Sequence, residues 1–139
     1  MTPPEDSGPW LSRLGPEEWL KAAIGELGRA ERAFAQRDLT RGIAGSKRAA
    51  GMALNGALAV VPNERWGRSY VEHLKALSQE EHVPAEVSSA AALLAELAPA
   101  RGDVVGITTR GRIDEWLEAA RTVMAHAYAV VHGSAGRRR

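Results

Sequence analysis

The chain has 139 residues, of which 45% are hydrophobic and 25% charged, a composition typical of one globular domain with a core of its own. Its formal net charge is +1, and because three arginines close the chain, the rest is slightly acidic, which argues against a broad nucleic-acid-binding surface. The chain contains no cysteine, which excludes disulfides, thiolate metal sites and cysteine nucleophiles.

The first stretch, residues 1–15, contains several prolines, and we predict a flexible leader in which Pro9 to Leu11 forms a short turn of helix. This stretch has neither the positively charged start nor the apolar segment of a secretory signal. The longest apolar run, Ala49 to Val61, is too short to span a bilayer, which takes about 20 residues. We therefore expect a cytoplasmic protein without membrane contact.

The first long helix is predicted to begin at Pro16, because proline suits a first helical position and Glu17 and Glu18 follow it in the first turn. It is expected to end near Arg37. Apolar residues at intervals of three and four define its predicted buried face, which consists of Leu20, Ile24, Leu27, Ala30 and Phe34.

The second helix, Gly42–Val61, is predicted to be the central and least exposed element, capped by Asp38 or Thr40 and ended by Pro62. Each glycine inside a helix costs about 1 kcal/mol relative to alanine, so the glycines of this stretch need a packing reason. We expect neighbouring helices to approach closely where no side chain stands between them. The core is predicted to include Ala50, Leu54 and Leu58.

Two further helices are predicted from the residues that start them. Asn63 is expected to cap the third, and Pro84 to open the fourth, which ends at Pro99. The predicted buried faces are Trp66, Tyr70, Leu74 and Leu77 in the third helix, and Val87, Ala91, Leu94 and Leu97 in the fourth.

The last helix is expected to follow an extended segment, residues 100–111, to be capped by Thr108 or Thr109, and to run from about Arg112 to Val131. Its predicted buried stripe is Ile113, Leu117, Ala120, Met124, Ala127 and Val131. The sequence thus predicts an all-α, five-helix bundle of up-and-down type over residues 16–132, followed by a flexible basic tail over residues 133–139.

Three stretches of this sequence resemble the HEPN domain family. The segment RAAGMALNGAL, residues 48–58, looks like the second helix of that family, with Gly51 and Asn55 where the family has Glu and Lys. The segment HLKAL, residues 73–77, is similar to the start of its third helix, and residues 116–131 resemble its closing helix. The resemblance covers roughly residues 18–132 and implies a HEPN-like bundle.

The resemblance implies one of two functions. Some HEPN domains are metal-independent ribonucleases, often toxins of toxin–antitoxin pairs, whose R-x4–6-H site forms across a dimer. Others are binding or dimerisation modules, commonly beside a nucleotidyltransferase partner. Here Arg121, His126 and Tyr128 satisfy R-x4-H-x-Y. A histidine can accept the 2′-hydroxyl proton of RNA, and an arginine can stabilise the charged phosphorane.

The alternative interpretation of this motif is structural. On a helix Arg121 and His126 point about 140° apart, so we expect only a dimer to bring them together. Arg121 is then expected to pair with Glu118 or Asp114, while His126 packs at the edge of a helix interface. We favour this interpretation, and predict a non-enzymatic HEPN-like binding or dimerisation module that forms a homodimer. RNA is a partner only under the ribonuclease alternative.

A weaker hypothesis concerns anion binding at the start of the last helix, where free backbone N–H groups favour negative charge. The residues that would hold a phosphate or carboxylate, including that of a nucleotide, are Thr108, Thr109, Arg110 and Arg112. The four histidines lack the spacing of a metal site, and no phosphate-binding glycine motif occurs, so we predict neither a metal nor a cofactor.

Overall fold

The computed structural model describes residues 14–97 and 106–137, with side chains over 14–97 and 111–133. The described residues form five α-helices and no strand, which confirms the predicted all-α bundle. The elements are α1 (Pro16–Ala35), α2 (Leu39–Val60), a 3₁₀ helix (Glu64–Trp66), α3 (Tyr70–Ser78), α4 (Ala85–Glu96) and α5 (Gly106–Arg137). No helix in the described part of the chain is long and apolar enough to cross a membrane.

The first two helices form a tight antiparallel pair joined by a short turn. Gly15 precedes α1 and donates its backbone N–H to Oε1 of Glu18 at 2.8 Å, which ties down the first turn. After α1 the chain reverses through Arg37, whose φ of 65° lies in the left-handed region. Asp38 then caps α2 by accepting the N–H of Arg41 at 3.1 Å, as one of the two predicted caps.

The central position predicted for the second helix is confirmed. Ala50 and Leu54 have no exposed surface and Leu58 is buried. α2 contacts every other α-helix of the bundle and packs most extensively against α1 and α5. It begins at Leu39, three residues before the predicted start and directly after the Asp38 cap, and it ends at Val60, one residue before the predicted end.

The glycines of α2 have the packing role that we inferred. A methyl group at Gly42 would collide with the ring of Phe34 on α1, and one at Gly51 with the side chain of Tyr70 on α3. At Gly45 it would lie 3.0 Å from Cβ of Ala30. Close approach of backbones explains why a buried helix tolerates residues with poor helix propensity.

The prediction of one continuous third helix is wrong. Asn63 does act as a cap, but of the short 3₁₀ helix, where it accepts the N–H of Arg65 at 3.0 Å. Gly67, with a φ of 71°, then breaks the helix. Ser69 and Glu72 form a new capping box, so that α3 begins only at Tyr70. Sequence periodicity continued across this break and concealed it.

The fourth helix follows Pro84 with Val87, Ala91 and Leu94 buried, as predicted, and it ends at Glu96. The bounds predicted for the last helix are wrong, because α5 begins at Gly106 and continues to Arg137. Thr108 and Thr109 therefore lie inside the helix and do not precede it. Each weak helix former costs less than about 1 kcal/mol, which a long packed helix tolerates. The rest of the predicted extended segment, residues 100–105, lies outside the described residues.

One predicted core residue is on the surface. Ile24 is 63% exposed, while its neighbour Ala23 is fully buried. The buried stripe of α1 runs through Leu20, Ala23 and Leu27, because alanine permits the close approach to α2 that isoleucine would block. The prediction preferred the larger apolar residue and so placed Ile24 on the wrong side of the stripe.

Candidate functional site

The R-x4-H-x-Y match lies on α5, and the structure brings two of its three residues to one groove. An open groove of about 470 Å³ runs between the start of α4 and the middle of α5, with Arg121 and His126 both in its lining. The other lining residues are Pro84, Glu86, Val87, Glu118, Thr122, Ala125 and Ala129.

Helix geometry explains how residues that point about 140° apart can share a groove. The α5 side chains of the groove floor, between Glu118 and Ala129, lie in directions between those of Arg121 and His126. These two residues therefore flank a floor of mostly short side chains. One chain therefore places both residues beside the same groove. That a dimer is needed to bring them together at one site stays a prediction.

Arg121 is engaged by carboxylates. Its Nη2 donates to Oε2 of Glu31 on α1 at 2.6 Å, and its Nη1 donates to Oε1 of Glu118 at 3.4 Å. The predicted pairing with Glu118 is confirmed, while the pairing with Glu31 could not be foreseen from a sequence separation of 90 residues. Because both pairs are exposed, they contribute only about 0–1 kcal/mol each, and their main effect is to position and neutralise the guanidinium.

His126 is half-buried at the groove, and this burial lowers the pKa of its imidazole. The ring is therefore neutral near pH 7, the state that a general base requires. Among the described residues, however, no group forms a hydrogen bond with it. In activated catalytic sites a third group usually orients the base, and this ring has none in the part of the chain that we see.

Tyr128 lies away from the groove. Its ring stacks on His132 with 4.2 Å between centroids, and Nε2 of His132 contacts Oε2 of Glu17 on α1 at 2.9 Å. Tyr128 thus belongs to the contact between α5 and the start of α1. Thr122, which directly follows Arg121 in the motif, donates its hydroxyl to the carbonyl of Glu118 at 3.0 Å, inside its own helix.

The anion site proposed from sequence falls at the edge of the described structure. The side chains of Thr108, Thr109 and Arg110 lie outside the described residues, and Arg112 is exposed within α5. Because α5 begins at Gly106, the free N–H groups of its first turn lie earlier in the chain than expected. Anion binding by these four residues stays a prediction.

A buried polar network that the sequence did not reveal joins α2, the 3₁₀ helix and α3. His73 is 1% exposed, and its Nδ1 is 2.9 Å from the carbonyl oxygen of Trp66 while its Nε2 is 2.9 Å from Oδ1 of Asn55. Burial lowers the pKa of His73, against the raising effects of the Trp66 hydrogen bond and of Glu72. The polar Asn55 within an apolar run was the one available signal.

The neutral state of His73 fixes the roles of its neighbours. Nδ1 must carry the proton to donate to the Trp66 carbonyl, so Nε2 is left as an acceptor. Nδ2 of Asn55 has no hydrogen-bond partner among the described residues. With the amide turned by 180°, this nitrogen donates to Nε2 of His73, and the neutral ring is satisfied on both sides. The network therefore links α2, the 3₁₀ helix and α3 without a buried charge.

A second polar cluster joins α1 and α2. Glu26 is 8% exposed and accepts from Nε of Arg48 at 2.7 Å and from Nη2 of Arg29 at 3.1 Å. Burial alone would raise the pKa of Glu26, but the hydrogen bonds and charges of Arg48 and Arg29 outweigh it and lower the pKa. With its carboxylate satisfied in this way, Glu26 acts as a structural link between the two helices.

A further candidate binding site is an exposed apolar surface. Ile24 and Tyr128 are 63% and 55% exposed and border a shallow, almost wholly apolar pocket of about 260 Å³ between α1, α2 and α5. We call this surface the Ile24 patch, and it comprises Leu20, Ile24, Ala53, Met124, Ala125 and Tyr128. Its lining suits an apolar side chain of a partner better than a charged ligand.

Among the described residues, no group of three or more His, Asp or Glu side chains could hold a metal ion. Comparison of the chain with models of protein families, with curated proteins and with solved structures finds no match.

Proposed function

We propose that the chain is a non-enzymatic, HEPN-like binding module that works as a homodimer. The observation that carries this proposal is the state of the motif residues. The Arg121 guanidinium is neutralised by Glu31 and Glu118, and Tyr128 lies outside the groove that Arg121 and His126 flank.

The charge of the groove supports the same proposal. A ribonuclease must attract a phosphate backbone, and that attraction needs basic groups that are free to bind it. Here Glu86 and Glu118 stand in the lining beside Arg121, whose positive charge is already paired. RNA would therefore find little electrostatic attraction at this groove.

The Ile24 patch supports self-association. Ile24 and Tyr128 expose large apolar side chains next to one another, and burial of apolar surface is the main driving force for protein association. Under this proposal the homodimer presents a composite surface to a second partner. The resemblance to HEPN domains makes a cytoplasmic nucleotidyltransferase-like protein the partner to test first, by co-purification with the proteins encoded beside this chain.

Cleavage assays test the non-enzymatic proposal. Purified protein is expected to leave single-stranded RNA uncut with or without chelator. His126→Ala and Arg121→Ala are expected to leave this result unchanged, because neither residue takes part in chemistry. Specific cleavage by the wild type that disappears in both variants, while circular dichroism shows both to be folded, would contradict the proposal.

That outcome would instead support the ribonuclease alternative, which one observation favours. Arg121 and the neutral His126 flank the same groove on a single chain. A general base and a cation that can stabilise a charged phosphorane therefore lie on the two sides of this groove. For this function Arg121 would have to leave Glu31 when RNA binds. A Glu31→Gln variant distinguishes the binding module from the ribonuclease, because it should raise RNA affinity only if Arg121 acts on phosphate.

A further inference from the structure

The outer face of α1 carries two glycines that the bundle does not use. A methyl group at Gly25 would meet only the Arg29 side chain at 4.0 Å, and one at Gly28 only the Arg32 side chain at 3.7 Å. These neighbours are flexible ends of side chains on the same helix. The glycines of α2, by contrast, each face another element of the fold. Gly25 and Gly28 therefore leave a shallow notch that nothing described in the chain fills.

The exposed Ile24 stands beside this notch. With 63% of its surface exposed, it is the most exposed large apolar residue described, and it adjoins Tyr128 across the Ile24 patch. A protruding apolar side chain next to a small-residue notch is complementary to a second copy of itself in the antiparallel direction. In a twofold dimer each residue that contacts a second residue is contacted by its counterpart in return.

Charge along the same face fixes one register. Residues 17, 21, 24, 25, 28 and 32 follow one another at helical spacing on the outer face of α1. If the twofold axis passes between Ile24 and Gly25, residue i faces residue 49 − i of the partner, so Glu17 faces Arg32. No acidic group pairs with Arg32 among the described residues. Glu17 contacts Nε2 of His132 through one carboxylate oxygen, at 2.9 Å, and its side chain is still 58% exposed. Each dimer would form this ion pair twice.

We propose that α1 is the dimerisation helix, pairing antiparallel with α1 of a second copy about an axis between Ile24 and Gly25. Ile24 of each chain packs into the Gly25 notch of the other and covers part of the Ile24 patch, Lys21 crosses Gly28, and Glu17 pairs with Arg32. This inference rests on the proposed self-association and specifies its surface. Because one helix and the edge of α5 provide the contact, the dimer is expected to be of the weak, micromolar kind.

Sedimentation of the full chain from 1 to 200 μM tests the surface. Wild type should dimerise, whereas Gly25→Leu fills the notch and should raise the dimer dissociation constant at least tenfold. Gly111→Leu is the matched control, since Gly111 is also an exposed helical glycine with nothing within 4 Å. It should dimerise like wild type. Circular dichroism should show both variants to be folded, because neither position contacts another element.

Charge exchange tests the register. Glu17→Arg and Arg32→Glu should each weaken the dimer, and the double variant should restore it to within about threefold of wild type. Glu17→Arg also removes the contact with His132, so Arg32→Glu is the cleaner single change. Rescue in the double variant cannot arise from a merely structural role of either residue.

Cysteine cross-linking locates the axis, because the chain has no cysteine of its own. Ile24→Cys lies within one residue of the proposed axis and should form a disulfide-linked dimer under mild oxidation, while Val71→Cys on α3 should not. Lys21→Cys should link to Gly28→Cys in a mixture of the two and link poorly to itself.

The outcomes separate this inference from the broader proposal. A dimer that survives Gly25→Leu, with no rescue by charge exchange, overturns the α1 surface and leaves self-association standing. Monomers at 200 μM overturn both. Monomers in which the Ile24→Cys thiol resists alkylation would show that another segment of the chain covers this face, and would also overturn the proposed dimer.

Discussion

At the scale of single residues, the arrangement of polar groups is decided by burial. His73 and Glu26 are both buried, but their polar groups are satisfied in different ways. His73 is held as a neutral ring between two hydrogen-bond partners, whereas Glu26 keeps its charge beside two guanidiniums. Sequence reasoning found neither arrangement, since each depends on a partner from another helix: Asn55 for His73 and Arg48 for Glu26. Only the Arg29 contact of Glu26 is local to one helix. It did offer Glu118, with Asp114 as the alternative, as the partner of Arg121, because that contact is local to one helix.

The neutral state of His73 predicts a loss of stability in mild acid. Its folded pKa lies below the ordinary value, so protons bind the unfolded chain more readily, and the free energy of unfolding should fall as the pH drops below about 6.5. His126 acts in the same direction. Urea unfolding measured at pH 8, 7, 6 and 5.5 checks this expectation.

Variants of the two histidines show which of them causes the loss of stability in mild acid. His73→Gln should be less stable at pH 7 but lose less stability between pH 7 and 5.5 than wild type does. His126→Ala removes the other contribution and serves as the comparison. The carboxylates Glu26 and Glu72, whose pKa values are lowered, act only below about pH 4.5, outside this window. Equal slopes for wild type and His73→Gln would contradict a buried neutral ring.

At the scale of helices, local signals predicted most of the elements. Pro16, Asp38 and Pro84 each mark a helix start where the structure has one. Errors arose where a special backbone conformation or tertiary packing decided the outcome. Gly67 interrupts the third helix, and α5 extends through residues of modest helix propensity. Neither effect depends on the hydrophobic period that the prediction used.

A buried and an exposed helical glycine are expected to respond differently to substitution by alanine. Gly51→Ala places a methyl group against the Tyr70 side chain and should destabilise the fold by about 1–3 kcal/mol, because a packed helix contact must open. Gly111→Ala, where nothing lies within 4 Å, should stabilise it by up to about 1 kcal/mol through helix propensity alone. Thermal and urea unfolding at pH 7 compare the two variants. Similar effects of the same sign would mean that Gly51 is not a packing glycine.

At the scale of the whole molecule, the sequence predicted the helical class and the central element but left the surface open. Periodicity shows which face of a helix is buried, and α2 was recognisable because one of its faces is continuously apolar and is flanked by glycine and alanine. The exposure of Ile24 and the groove beside α5 depend on how neighbouring helices meet, which periodicity does not specify. Of the candidate site, the sequence therefore identified Arg121 and His126, but neither the place of Tyr128 outside the groove nor the contact of Arg121 with Glu31.

The central place of α2 leads to a prediction about cooperative folding. Leu54 is fully buried in the core that α2 forms with α1 and α5, so Leu54→Ala leaves a cavity and should cost about 2–5 kcal/mol. Val71→Ala, a truncation on the exposed face of α3, should cost less than about 0.5 kcal/mol. Because α2 contacts every other α-helix, loss of its packing should lower the stability of all of them together. Urea unfolding followed by tryptophan fluorescence and by circular dichroism should then give coincident midpoints for both variants. A loss of less than 1 kcal/mol for Leu54→Ala, or midpoints that separate, would show that the bundle is not organised around α2.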